Sequence, residues 1–89
     1  MRKYTVRISD DALRVMRKLD PSIRRMIFAW IRKNLENCAD PRAHGHGLTG
    51  NLSGQWRYRV GDYRLLAEIQ EDKVLILIVK IGHRSEIYN

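Results

Sequence analysis

Three arginines and three aromatic residues share the nine positions 56–64, WRYRVGDYR. A guanidinium stays protonated in proteins, so Arg57, Arg59 and Arg64 cannot serve as bases. Their planar forks match phosphate oxygens, and their permanent charge suits them to hold an anion and to stabilise charge developing on it. The tail 82–89, GHRSEIYN, carries groups of the complementary kind. His83 titrates near neutral pH and can act as acid or base. Tyr88 offers a phenol whose proton becomes mobile where surrounding cations lower its pKa. Arg84 adds a further phosphate ligand. Each has a plainer reading: arginines spread into water, a surface histidine, and a tyrosine that closes a sheet.

These residues need a scaffold, and the pattern predicts one. Residues 3–8 alternate and are rich in β-formers, which predicts a first strand. Ser9 or Asp10 can cap a short helix bearing Ala12, Leu13, Val15, Met16 and Leu19. Asp20-Pro21 starts a second helix, with Asp as N-cap and Pro where its missing N–H is harmless. Its apolar stripe runs through Ile23, Met26, Ile27, Trp30, Ile31, Leu35 and Cys38, with Arg24, Arg25, Arg32 and Lys33 off it. The two helices form an αα-hairpin. Residues 39–54, with Pro41 and four glycines, read as a loop.

Strands at 55–60 and 63–70 flank Gly61-Asp62, a two-residue turn of the kind strand twist prefers. A third strand at 74–81, apolar on both sides, should be interior. The expected fold is α+β: a β-α-α-β-β-β order with the αα-hairpin on a small, mainly antiparallel sheet. Alternation sorts the hairpin into two faces. Trp56, Tyr58 and Val60, with Tyr63, Leu65, Ala67 and Ile69, should meet the helices. Arg57, Arg59 and Arg64 point the other way, with Arg59 directly opposite Arg64. Like charges so placed are destabilising, so stability does not account for them.

Bulk properties narrow the function. Eighty-nine residues, 44% of them apolar, make one folded domain over 1–89. The net charge of +7 points to an anionic partner, nucleic acid or acidic protein. Residues 1–50 hold 11 Lys/Arg against 5 Asp/Glu, and residues 51–89 hold 6 against 5. The first part is therefore a broad docking surface, and the arginines of the second are few and placed. Cys38 alone makes no intramolecular disulfide and no cysteine-based zinc site. His44 and His46 on a glycine-rich loop are too few for a metal site, and no metal or cofactor is expected. No stretch is apolar enough for a signal peptide or a membrane span, so a cytoplasmic protein without a membrane partner is expected.

The block GNLSGQWRYRVGDYRLLAEI and the ending KIGHRSEIY resemble the RelE/ParE toxin superfamily, and within it the RelE-type mRNA interferases. The resemblance covers nearly the whole chain and implies a single RelE-like domain. It implies the toxin of a type II toxin–antitoxin system, a ribosome-dependent endoribonuclease that cuts mRNA in the 30S A site and is silenced by a small cognate antitoxin. The reaction it implies is metal-independent: the RNA 2′-OH attacks the adjacent phosphate and leaves a cyclic phosphate end. The family's phosphate positions fall on Arg57, Arg59, Arg64 and Arg84, and its terminal tyrosine on Tyr88. Some relatives carry lysine where this chain has Arg57 and Arg59, which moves the base role to Tyr88 or to His83 as a relay. Two other functions suit the same fold: a ParE-like, non-enzymatic inhibitor of DNA gyrase, and an RNA-binding module that does not cut.

Overall fold

A computed structural model describes residues 3–49 and 54–87. Strand β1 (Thr5–Ile8) leads into helix α1 (Asp10–Lys18) and helix α2 (Pro21–Asn34). A two-residue strand β2 (His46–Gly47) precedes β3 (Gln55–Val60), β4 (Tyr63–Gln70) and β5 (Leu75–His83). The sheet order is β1-β5-β4-β3-β2, with β1 parallel to β5 and every other pair antiparallel. This is the expected α+β architecture with one strand added at the edge.

Local chemistry sets the element ends. The Ser9 hydroxyl, not Asp10, caps α1 by accepting from the Ala12 N–H at 3.1 Å. Asp20 caps α2 by accepting from the Ser22 N–H, with Pro21 in the first turn. That bond, followed by one from the Ser22 hydroxyl, holds the Asp20 carboxyl below its ordinary range. Gly61 takes φ +58° while Asp62 does not enter positive φ, which fits a type II′ turn opening on glycine.

The core lies between the helices and one face of the sheet. Met16 and Ala12 of α1 and Ile27 and Ile31 of α2 cover Tyr58, Val60, Leu65, Ala67, Ile76 and Ile78. The aromatic face of the hairpin is thus the helix face. Met26 and Val15, expected within the apolar stripes, are exposed instead. Met26 lies over the turn, its methyl 3.3 Å from where a β-carbon on Gly61 would sit. Both residues flank their stripes, where the helix surface curves away from the sheet.

Strand β5 spans 75–83 rather than 74–81, because Val74 takes a left-handed conformation (φ +50°) and ends the preceding 3-10 turn. It is interior, as expected, between β1 and β4. Its pairing is irregular: Leu66 pairs with Lys80 but Ala67 with Ile78, leaving Val79 as an extra residue. The bulge reverses the alternation, so Ile76, Ile78 and Ile81 all reach the core despite the odd step between the last two. Among the described residues no helix is long and apolar enough to cross a membrane.

Candidate functional site: the arginine face of the sheet

The face turned away from the helices is built by β2 to β5 and by the tail. In register, Arg59 stands opposite Arg64, and Arg64 opposite Gly82. One row along, His46, Arg57, Leu66 and Lys80 run across four strands. Alternation plus a two-residue turn therefore puts the three hairpin arginines on one face, as the sequence requires. Arg59 is exposed; Arg57 and Arg64 are half-buried.

The charges are poorly compensated. Among the described residues, none of Arg57, Arg59 and Arg64 forms an ion pair. Arg64 donates to the backbone carbonyls of Gly61 at 3.1 Å and Tyr63 at 3.0 Å, which folds its guanidinium toward the turn. Its pKa lies below the ordinary value through burial first, then the positive charges of Arg59, Arg57 and Arg84, with Asp62 opposing. Arginine does not respond by deprotonating. The field instead favours an incoming anion.

The tail joins this region through the turn. The Arg84 N–H donates to the Asp62 carbonyl at 2.8 Å, and the Arg84 Nε lies 3.8 Å from Asp62 Oδ1. Arg84 thus stands beside Arg64 at the same end of the hairpin. Ile87 then folds back over Gly82, its side chain 3.1 Å from where a β-carbon on that glycine would be. It packs with Leu48, Leu66 and Val79 in a second apolar cluster, on the arginine face. That cluster is the floor between the cations. Tyr88 follows Ile87 in sequence and lies outside the described residues.

His83 is placed differently. It pairs with Tyr63, which alternation along β4 sets on the helix face, and the bulge at Val79 brings His83 to that same face, with rings edge-on at 5.6 Å. Its Nδ1 accepts from the Ser85 N–H at 3.2 Å and lies 2.9 Å from the Ser85 hydroxyl. Its own N–H donates to Glu86 Oε1 at 2.9 Å. His83 therefore organises the turn into the tail, on the other side of the sheet from the arginines. The structure brings together Arg57, Arg59, Arg64 and Arg84, and sets His83 apart.

Two groups on this face escape sequence reading. Lys80 reaches it only because of the bulge, whose trace is the odd spacing of Ile78 and Ile81. His46 reaches it through β2, too short to show any periodicity. Among the described residues no three His, Cys, Asp or Glu side chains converge as a metal site would need.

With this geometry in place, likeness to known proteins becomes specific. Residues 6–88 match the family described as the ParE toxin of type II toxin–antitoxin system, parDE. The chain belongs to that toxin family. It is a toxin of the RelE/ParE superfamily, the kind that type II toxin–antitoxin systems encode. The toxin is 33% identical over 85 residues to Toxin RelG of Mycobacterium tuberculosis, covering 96% of this chain and 95% of the relative. Among solved structures it resembles the RelBE2 toxin–antitoxin complex of Mycobacterium tuberculosis, with a TM-score of 0.83, 32% identity, and 92% and 99% of the two chains covered. The archaeal RelE–RelB complex of Pyrococcus horikoshii OT3 gives a TM-score of 0.70 at 26% identity, over 96% and 99% of the chains. The RelE toxin of Escherichia coli, at 21% identity and TM-score 0.69 over 90% and 83%, shares the fold.

Proposed function

We propose that this toxin is a metal-independent endoribonuclease that cleaves mRNA in the ribosomal A site, and that a small cognate antitoxin holds it inactive. The observation that carries the reading is the set of guanidiniums gathered on one sheet face: Arg59 against Arg64 with Arg57 beside them, none ion-paired among the described residues, and Arg84 alongside, its Nε 3.8 Å from Asp62 Oδ1. Stability disfavours such a set and phosphate recognition requires one. Family membership and relatives solved in complex with antitoxins support the toxin–antitoxin setting.

In the proposed reaction, the 2′-oxygen attacks the adjacent phosphorus as a base removes its proton. The P–O5′ bond breaks, and an acid delivers a proton to the departing O5′. A 2′,3′-cyclic phosphate and a 5′-hydroxyl result, with no water consumed. Arg57, Arg59, Arg64 and Arg84 orient the phosphate and stabilise the charge that builds on its equatorial oxygens. Tyr88 moves a proton. His83, on the other face, contributes by shaping the turn that delivers the tail. The basic surface of the helices would meet ribosomal RNA through phosphates. An acidic antitoxin segment could add a strand to a sheet edge.

Mapping mRNA 5′ ends on programmed ribosomes tests this reading with wild type, Arg64→Ala and Tyr88→Phe. A-site cuts by the wild type, lost or strongly slowed in both variants, are expected; unchanged cutting in both would sink the assigned roles. The ParE family match favours a second reading, a non-enzymatic inhibitor of DNA gyrase. Inhibition of supercoiling without RNA cleavage would select it, although the arginine face then has no assigned task.

A further inference from the structure

We propose that Lys80 holds a second RNA phosphate, the neighbour of the scissile one, a proposal that rests on the ribonuclease reading above. Lys80 breaks the apolar run of the interior strand β5, LILIVKIGH. Strict alternation would send it into the core with Ile76 and Ile78. The bulge at Val79 instead sets it opposite Leu66, exposed on the arginine face. Strand β1 pairs with β5 only as far as Ile8 with Ile78, so Lys80 has a strand on one side alone. Among the described residues it forms no ion pair.

Stability gives no account of this placement. Lysine is a poor strand former. An apolar side chain at 80 would extend the adjoining cluster of Leu48, Leu66, Val79 and Ile87, whereas a lysine extends the cationic face. The plainer role, keeping an open sheet face wet, would leave RNA binding indifferent to it.

The sheet register sets the spacing of two phosphate seats. Arg59, Arg64 and Gly82 form one row, with Arg84 beside it; Arg57, Leu66 and Lys80 form the next. Two residues of strand separate the rows, roughly 7 Å. That is the step between neighbouring phosphates of an extended single strand. The pairing between the rows is regular on β4 and β5, so they stay aligned. Within the second row, Arg57 and Lys80 stand two strand spacings apart, roughly 10 Å, on either side of Leu66. Leu66 is buried, so both long side chains can close on a phosphate above it. Arg57 would offer its fork and Lys80 its three ammonium donors. In the first row Gly82 has no side chain and Ile87 covers it, so β5 supplies a cation to the second row only. One row further, Glu68 faces Gln55, and that carboxylate ends the cationic track at two phosphates.

The test neutralises RNA phosphates one at a time. Programmed ribosomes carry mRNA with a single methylphosphonate linkage immediately 5′ or immediately 3′ of the cleaved one, and single-turnover cleavage is titrated with toxin. For the wild type, one of these linkages should raise the half-saturating toxin concentration about 10-fold, with the maximal rate changed less than about twofold. Lys80→Gln should need about 10-fold more toxin on unmodified mRNA and lose nothing further to that linkage. Its slope of log affinity against log salt should be shallower by about 0.7. Lys80→Arg should keep the wild-type response. Lys80→Gln that binds unmodified mRNA as the wild type does, or that loses as much to the neutral linkage, would overturn the second seat and leave the ribonuclease reading standing. A loss confined to the maximal rate would do the same. Failure of the wild type to cleave any mRNA would overturn both.

Discussion

Arg59→Gln should make the toxin more stable and less active. Arg59 is exposed, opposes Arg64 across the hairpin, and forms no ion pair among the described residues. Cross-strand neighbours hold β-carbons roughly 5 Å apart. Two unit charges at about 5–10 Å repel by roughly 0.4–0.8 kcal/mol at the dielectric of water, within the range of about 0.2–1 kcal/mol for cross-strand pairs. Glutamine keeps much of the side chain's length and removes the charge. For a chain of this size the relief is worth about 2–6 °C in the thermal midpoint. The gain should be present at low salt and vanish near 1 M, where the screening length falls to about 3 Å. If Arg59 also stabilises charge on the phosphate, cleavage should fall roughly 100- to 1000-fold. Calorimetry across a salt series, paired with primer extension on programmed ribosomes, reads both effects. An unchanged midpoint at low salt, or a gain that persists in 1 M salt, would refute the electrostatic reasoning. Arg59→Lys should keep the repulsion and part of the activity, because it retains the charge but not the fork.

Three further outcomes follow from the same geometry. Tyr58 donates its buried hydroxyl to the Pro41 carbonyl at 2.5 Å, so Tyr58→Phe should lower stability by about 1–3 kcal/mol in urea titrations. Burial, ahead of Cys38 and Asp40 and against Arg42, pushes the Tyr58 phenol above its ordinary 10.0. The unfolded chain therefore loses this proton first. The stabilisation is complete below pH 10 and falls as pH climbs further, by at most about 1.4 kcal/mol per pH unit, a slope Tyr58→Phe should lack. Gly82→Val should push Ile87 off the sheet, since even a β-carbon there meets its side chain at 3.1–3.2 Å; cleavage should fall more than stability, read by the same two assays. Ser9→Ala should cost about 1 kcal/mol through loss of the cap on Ala12, visible as an earlier thermal midpoint with normal cleavage.

The hairpin was legible in sequence because Gly61-Asp62 permits one register, and that register sorts every side chain from Gln55 to Gln70. Helix starts were equally readable, since Ser9, Asp20 and Pro21 act locally. What escaped depends on contacts distant in sequence. Strand β2 exists because Gly45 and Trp56 lock a polar loop onto β3, and two residues carry no periodicity. The bulge at Val79 turned His83 to the helix face and Lys80 to the arginines, which strict alternation along β5 hides. The return of Ile87 onto the sheet depends on the bare surface of Gly82. Candidate phosphate ligands were thus visible from spacing, while the partition of the histidines between two faces needed the register of the whole sheet.

The proposed reaction is RNA cleavage on the arginine face without a metal. Its most direct measurement is the chemistry of the ends made on programmed ribosomes with chelator present. A-site cuts bearing a 2′,3′-cyclic phosphate on one fragment and a 5′-hydroxyl on the other are expected, abolished when Arg57, Arg59 and Arg64 are all changed to glutamine. Intact mRNA with the wild-type toxin, or cuts that persist in the triple variant, would contradict it.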